Sequence, residues 1–177
     1  MYEEYKIEIK FTPNEKEIED IFSWTSSDRG EIWDCYKKTG LVIAKINDKV
    51  IGYIAYKIEI LAIYISLAET KDLYKKQGVA KLLISNLIEE FSKLGYIAVY
   101  LFCSPIESQY IWNKLGFSYY PENALKHNSR LYMNKIFGSV CEINLKKDIS
   151  FNDNFIEIWD CENPQKGKEP KWIVNFN

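Results

Sequence analysis

The sequence contains a single histidine, His127, and its four cysteines are widely separated. No Cys-x-x-Cys pair is present, so the spacing of a structural zinc site is missing. We therefore expect no bound metal, and we interpret Cys35, Cys103, Cys141 and Cys161 as reduced thiols. We expect His127, in a polar loop, to be solvated rather than catalytic.

Long apolar runs and an excess of one charge are also missing. No apolar stretch approaches the ~20 residues that cross a bilayer, and the first residues, Met-Tyr-Glu-Glu-Tyr-Lys, lack the apolar core of a signal peptide. A net charge of −2 creates no field that would attract nucleic acid or an anionic membrane. We expect a cytoplasmic protein that binds neither.

The residues that are present suit a globular protein of ordinary size. The chain has 177 residues, of which 47% are hydrophobic and 27% charged. These values are typical of a folded domain with a sizeable core, and the length is too short for two full domains.

Hydrophobic periodicity predicts alternating strands and helices. Residues 5–11 alternate as in a half-buried strand, and Thr12-Pro13-Asn14-Glu15 is typical of a capping box with proline at the first helical position. A second helix is expected to follow Ser-Ser-Asp and to end at Gly40, and Asn47-Asp48 favours a two-residue hairpin. Further strands are expected at 60–67, 97–103, 117–120 and 130–136, and further helices at 78–95 and 105–115.

Residues 73–83, Leu-Tyr-Lys-Lys-Gln-Gly-Val-Ala-Lys-Leu-Leu, connect an apolar strand to an amphipathic helix. Gly78 and the small Ala80 allow the backbone to approach a ligand closely, and the first N–H groups of a helix lack internal partners. These donors lie at the positive end of the helix dipole and suit a phosphate. The spacing matches neither a Walker loop nor a three-glycine dinucleotide fingerprint.

Lys75, Gly78 and Ala80 follow the spacing Gln/Arg-x-x-Gly-x-Gly/Ala, with lysine as a departure at the first position. The pattern resembles the pyrophosphate loop of the GNAT superfamily of N-acetyltransferases. Residues 111–117, Ile-Trp-Asn-Lys-Leu-Gly-Phe, resemble the family's Phe-Tyr-Glu-Lys-Leu-Gly-Phe stretch, and residues 131–133 resemble its last common strand. The likeness covers about residues 5–136.

The resemblance implies an α/β (α+β) GNAT fold, with a mixed, mostly antiparallel central sheet flanked by helices. It divides the chain into an acetyltransferase domain, residues 1–137, and a β-rich extension, residues 138–177, packed on the same domain. The extension is interpreted either as extra strands that complete the sheet or as a lid or homodimer contact anchored by Trp159 and Trp172.

The same resemblance implies an acyltransferase that moves acetyl from acetyl-CoA to a primary amine by direct transfer in a ternary complex. The backbone of Leu67 and Ala68 is expected to meet the pantetheine arm, and Trp112 to contact the cofactor. The residues expected to hold the pyrophosphate or add positive charge beside it are Lys75, Lys76, Gln77, Gly78, Val79, Ala80 and Lys81. The acceptor stays open between a small-molecule and a peptide amine.

Acetyl transfer needs a neutral amine, and deprotonating an alkyl amine at neutral pH costs roughly 4 kcal/mol. Glu69 and Glu59, near the two ends of the expected fourth strand, are the candidate bases. Trp112 occupies the position of the family's proton-donating tyrosine, and Tyr110 lies about 200° around the helix from it. A proton from Ser108 or Cys103, delivered through water, is the remaining source.

Two alternatives follow from these departures. Cys103 as an acyl-carrying nucleophile is weighed against a small apolar residue in a buried strand, and we favour the second because the only histidine is remote in sequence. Loss of the tyrosine favours a second function class, a GNAT-like module that binds acyl-CoA or a protein partner with weak or no catalysis.

Overall fold

The structure is a computed structural model, and it describes residues 6–59, 61–118, 131–137, 141–142, 155–158 and 172–175. The strands and helices, in chain order, are β1 (Glu8–Lys10), α1 (Glu15–Trp24), α2 (Arg29–Lys37), β2 (Leu41–Ile46), β3 (Lys49–Ile58), β4 (Ala62–Thr70), α3 (Val79–Lys93), β5 (Ala98–Cys103), α4 (Gln109–Lys114), β6 (Leu131–Ile136), β7 (Cys141–Glu142), β8 (Phe155–Ile158) and β9 (Trp172–Asn175). Two 3₁₀ turns, Asp72–Tyr74 and Ile106–Ser108, precede α3 and α4.

The central sheet has six strands in the order β1-β2-β3-β4-β5-β6. The pairs β1–β2, β2–β3, β3–β4 and β5–β6 are antiparallel, which confirms the predicted, mostly antiparallel sheet. Asn47 and Asp48 form the predicted two-residue hairpin, because Ile46 pairs directly with Lys49. Asn47 takes the left-handed conformation, φ 53°, that such a turn requires.

The start of α1 corrects one prediction. The N-cap is Asn14 and not Thr12, so Pro13 precedes the helix instead of opening it. The side chain of Asn14 accepts the amide of Glu17 at 3.0 Å, and the carboxylate of Glu17 accepts the amide of Asn14 at 2.8 Å. The capping box is therefore present, two residues later than the sequence suggested, with Glu17 three residues after Asn14 as Glu15 is after Thr12.

The second helix begins as predicted and ends earlier. Asp28 caps α2 and accepts the amide of Gly30 at 2.8 Å, but α2 ends at Lys37 and not at Gly40. Gly40 lies where the chain enters β2, and a Cβ there would collide with the carbonyl oxygen of Tyr56. Glycine is therefore needed at position 40 because the backbone of Tyr56 passes close by, and not because a helix ends there.

The chain divides into two compact units, the first formed by Met1–Ile58 with Ile63–Phe91 and the second by Glu59–Ala62 with Ser92–Asn177. The core of the first unit places α1 and α2 against β2 and β3. Its fully buried side chains include Ile18, Ile21, Ile32 and Tyr53. Burying one such side chain contributes about 1.5–3 kcal/mol, so this face of the sheet stabilises the unit.

Helix α3 packs on the first unit through Val79, Leu83 and Leu87, all buried as the predicted amphipathic pattern requires. It meets the sheet at Gly52 of β3, which faces Val79 and Leu83. A Cβ at Gly52 would lie 2.9 Å from Cγ1 of Val79, the first residue of α3. Glycine at this position therefore determines how near the start of α3 lies to β3.

The second unit contains β5, β6 and α4. The helix predicted over 105–115 is split into a 3₁₀ turn and the six-residue α4. Of the strand predicted at 117–120, Ser118 forms an isolated bridge with Asn134, and residues 119–120 and His127 lie outside the described part of the chain.

The tail strands β7, β9 and β8 form a three-stranded sheet in that order. The expectation that they complete the central sheet is wrong, because their described hydrogen-bonded partners are one another. The division at residue 138 and the roles suggested for Trp159 and Trp172 stay predictions.

Within the described ranges no helix is both long and apolar enough to cross a membrane. The same part of the chain contains no group of three or more His, Cys, Asp or Glu side chains placed to hold a metal ion.

Candidate active site

Strand β4 carries a β-bulge at Ser66. Leu67 pairs with Ala55 and Ile65 with Tyr56, so Ser66 is an extra residue without a partner position on β3. A bulge bends a strand and disrupts the local ladder, and bulges are common beside active sites. It immediately precedes Leu67 and Ala68, the residues expected to offer backbone groups to a ligand. The only sequence signal is a serine inside an apolar run.

Residues 71–78 form the junction between β4 and α3. After the 3₁₀ turn at Asp72–Tyr74, the backbone turns through two left-handed residues, Lys76 at φ 63° and Gly78 at φ 85°. A Cβ built on Gly78 would meet no atom within 4 Å, so the space over this residue is open. Glycine is needed here for its conformation and not for lack of room.

The amides at the start of α3 are available to a ligand. The first backbone bond of the helix runs from the amide of Leu82 to the carbonyl of Gly78, at 2.9 Å. Among the described backbone hydrogen bonds, the N–H groups of Gly78, Val79, Ala80 and Lys81 donate none. Unpaired first-turn amides at the positive end of a fifteen-residue helix form an anion site. These residues fit a diphosphate.

Two side chains of the junction, Lys75 and Gln77, make contacts within it. Lys75 binds the carboxylate of Asp72 at 2.5 Å, and that hydrogen bond raises the pKa of Lys75. The carboxylate of Asp72 therefore balances part of the positive charge of Lys75. The side-chain amide of Gln77 donates to the carbonyl of Leu73 at 2.8 Å, so it braces the turn. Lys76 and Lys81 are exposed.

Glu69, near the end of β4, is the most densely hydrogen-bonded of the predicted site residues. Its Oε2 accepts the hydroxyls of Thr25 at 2.6 Å, Ser27 at 3.0 Å and Tyr53 at 3.4 Å. Its Oε1 accepts the hydroxyl of Ser26 at 3.2 Å and the amide of Ser26 at 3.4 Å. Burial raises the pKa of Glu69, but these donors outweigh burial and the pKa is lowered.

Glu59 precedes β4 at its other end and belongs to the second unit. Its carboxylate accepts a hydrogen bond from the phenol of Tyr100.

The other predicted catalytic residues lie in the second unit. Tyr110 is 69% exposed on α4, whereas Trp112 is half-buried and packs edge-on against Phe117, with ring centroids 5.1 Å apart. Burial is the largest influence on the Cys103 thiol and raises its pKa, with the nearby Ser108 side chain opposing it in part. The hydroxyl oxygen of Ser108 is buried and has no hydrogen-bond partner among the described residues. A buried thiol with a raised pKa is a poor nucleophile, which agrees with the interpretation of Cys103 as a structural residue.

A protein-family sequence model described as "Acetyltransferase (GNAT) family" matches residues 3–117, about two thirds of the chain. This chain belongs to the GNAT acetyltransferase family. No curated protein matches it by sequence.

Solved structures of GNAT proteins share the fold at low sequence identity. The GNAT family N-acetyltransferase YhbS from Escherichia coli, in complex with CoA, has a TM-score of 0.63 and 14% identity, covering 78% of this chain and 85% of that one. The PaiA N-acetyltransferase from Thermoplasma acidophilum, in complex with coenzyme A, has a TM-score of 0.60 and 15% identity, and the match covers 75% of this chain and 99% of that one. The ribosomal-protein-S18-alanine N-acetyltransferase from Escherichia coli has a TM-score of 0.61 and 13% identity, and the match covers 80% of this chain and 100% of that one. The predicted GNAT fold is confirmed.

Within this GNAT protein, the residues expected to hold the cofactor separate by unit. Leu67, Ala68 and residues 75–81 all belong to the first unit, and Trp112 belongs to the second. Acetyl-CoA is the usual cofactor of the family.

Sequence reasoning misses three features of the first unit: the bulge at Ser66, the close approach at Gly52, and the hydroxyl cluster of Thr25, Ser26 and Ser27 around Glu69. The local pattern indicates the two serines only as part of a helix cap. It carries no sign that they meet a carboxylate 42 or more residues later in the chain.

Proposed function

We propose that this GNAT protein is an acetyl-CoA-dependent N-acetyltransferase that moves acetyl to a primary amine by direct transfer, with both reactants bound together. The observation that carries the proposal is the set of unpaired amides from Gly78 to Lys81 at the start of α3, with open space over Gly78. Such a corner suits the diphosphate of coenzyme A.

The chain's own groups supply binding and orientation. The amides of residues 78–81 hold the diphosphate, and the exposed Lys76 and Lys81 add positive charge beside it. The backbone beside the Ser66 bulge, at Leu67 and Ala68, meets the amide-rich arm of the cofactor. When bound, acetyl-CoA supplies a thioester whose carbonyl carbon a neutral amine can attack.

Proton removal from the amine falls to Glu59 or to an ordered water. Glu69 already accepts five hydrogen bonds, and its pKa is lowered, so it is a poor base for an amine. The leaving thiolate of coenzyme A needs a proton to become a free thiol, and Trp112 has no suitable proton to donate. Ser108, beside Cys103, is the remaining proton source among the predicted residues.

The proposal is tested first by calorimetric titration with coenzyme A, using two glycines that have the same φ. Gly78 and Gly95 flank α3, both have φ 85°, and a Cβ added to either would meet no atom within 4 Å. Gly78→Ala and Gly95→Ala therefore carry the same left-handed strain, about 1–2 kcal/mol. We expect Gly78→Ala alone to weaken coenzyme A binding, by about tenfold or more. Equal effects of the two variants, or no binding by the wild type, would contradict the proposed site.

The second test follows free thiol released from acetyl-CoA in the presence of a panel of primary amines, including polyamines and peptides with free N-termini. Mass spectrometry after incubation with labelled acetyl-CoA and a lysate fraction identifies acceptors outside the panel. Amine-dependent thiol release supports the enzyme.

The replacement of the family's tyrosine by Trp112 favours a second candidate, a GNAT-like module that binds acyl-CoA or a protein partner with little or no catalysis. Tight binding of acetyl-CoA without thiol release from any amine would favour this module.

A further inference from the structure

The carboxylate of Glu69 lies beneath the segment that connects α1 to α2, residues Thr25–Ser27. Every residue of that segment donates at least one hydrogen bond to Glu69, through the hydroxyls of Thr25, Ser26 and Ser27 and the amide of Ser26. Each contact spans 42 to 44 positions of sequence. The pattern is that of a clamp between β4 and the α1–α2 connection.

The acceptor capacity of this carboxylate is filled. An ionised carboxylate offers about four lone-pair sites, and Glu69 receives five donors, the fifth being the phenol of Tyr53. Tyr53 is fully buried, and its phenol also lies 2.9 Å from the hydroxyl of Thr25. A carboxylate in this environment has no site left for the proton of an incoming ammonium ion.

The clamp reaches the start of α2 as well. The amide of Ser27 donates to the hydroxyl of Thr25 at 3.1 Å, and Asp28, the next residue, caps α2. Anchoring Thr25–Ser27 to β4 therefore fixes where α2 begins. On β4, Glu69 directly follows Leu67 and Ala68, which we propose to meet the cofactor, so the anchored segment lies beside the proposed cofactor site.

We propose that Glu69 is a positioning residue that holds the Thr25–Ser27 segment in place for the amine acceptor, and that it is not the general base. The inference rests on the proposed function for its acceptor, although the clamp itself is a property of the fold. It predicts that the negative charge at position 69 matters less for acceptor binding than the ability of the side chain there to form hydrogen bonds with residues 25–27.

Two substitutions separate the roles. In Glu69→Gln the amide oxygen still accepts from Ser26, and the amide nitrogen donates to the hydroxyls of Thr25 and Ser27, which can reverse as acceptors. In Glu69→Ala the donors of Thr25, Ser26 and Ser27 lose the carboxylate that they share, which is costly in a half-buried site. Glu19, exposed on α1, provides the matched charge control Glu19→Gln.

The first readout is amide hydrogen exchange, which needs no acceptor. We expect exchange at Ser26 and Ser27 to accelerate about tenfold or more in Glu69→Ala and to stay within about threefold of wild type in Glu69→Gln and Glu19→Gln. Unchanged exchange at both serines in Glu69→Ala would overturn the clamp.

The second readout is the split between KM and kcat for an amine that the wild type acetylates. We expect Glu69→Ala to raise the KM for the amine about tenfold with kcat within about threefold, and Glu69→Gln to restore KM. Coenzyme A affinity should be unchanged in both variants. A loss of kcat of about a hundredfold or more in Glu69→Gln, with the acidic limb of the pH–rate profile gone, would identify Glu69 as the base and overturn the proposal. If the wild type acetylates no amine, the proposed function fails while hydrogen exchange still decides whether Glu69 holds the segment.

Discussion

The two strand-to-helix junctions of this protein follow the same plan and differ in one detail. After β4 and again after β5, the chain makes a 3₁₀ turn and then enters a helix. Between the turn and α3 lie residues 75–78, which include the left-handed Lys76 and Gly78. The 3₁₀ turn after β5 runs directly into α4, which has only six residues.

Because of this difference, the first junction offers backbone groups to a ligand and the second offers side chains. The first junction presents unpaired amides at the start of a long helix, so its binding capacity resides in groups that every residue except proline carries. The second presents side chains, with Tyr110 exposed and Trp112 packed on Phe117. Under the proposed function, we expect lysine in place of the family's first Gln/Arg to be tolerated, and tryptophan in place of tyrosine to remove the proton donor that the family resemblance implies.

The largest effect expected from a single change concerns the support of the first junction. In Gly52→Ala the new Cβ would lie 2.9 Å from Cγ1 of the buried Val79, so either the Val79 side chain or the start of α3 must shift. We expect a loss of about 2 kcal/mol in the free energy of unfolding and about a 30-fold loss of coenzyme A affinity. Denaturant unfolding and calorimetry measure the two quantities.

The double variant Gly52→Ala with Val79→Ala is the control, because it removes the Cγ1 atom with which the new methyl group at position 52 collides. Coenzyme A affinity should recover in the double variant. Failure to recover would mean that the amides of residues 78–81 are not the binding groups.

A smaller effect is expected at the second junction. Trp112→Tyr restores the residue type of the family and should raise kcat by about tenfold, well below the roughly 10²–10⁴ of strong general acid catalysis, because a thiolate leaves readily without a proton. Trp112→Phe keeps a ring against Phe117 without the hydroxyl. Steady-state thiol release compares the pair, and an equal kcat for both variants would argue against a proton donor at this position.

The smallest effect is expected at Lys75. Its ammonium pairs with Asp72, and both side chains are exposed, so the charge offered to an anion is partly balanced and screened. Lys75→Ala should weaken coenzyme A binding only about two- to threefold at low salt and less at high salt. Lys38→Ala, at an exposed residue beyond α2, is the charge control. A tenfold or larger loss at Lys75 would mean that side chains, and not amides, dominate the first junction.

Much of the fold was predictable because its signals are local. The hairpin at Asn47-Asp48, the cap at Asp28 and the amphipathic α3 each follow from residues within one or two turns of each other. Two of the local errors are small shifts, with the cap at Asn14 instead of Thr12 and the end of α2 at Lys37 instead of Gly40. Thr12 and Asn14 each have a glutamate three residues later, and Gly40 is needed for the close approach to Tyr56, so neither local signal points to one answer.

The amino-acid sequence by itself determined the order of elements, the glycine turn before α3 and the family to which the chain belongs. Each of these depends on residues that are close together in the sequence. Only the tertiary structure decided that Gly52 must lack a side chain beneath Val79, that Ser66 bulges, that the tail strands pair with one another, and that Glu69 collects the donors of Thr25–Ser27. Those features join residues far apart in the chain, and their energies depend on distances that exist only after folding.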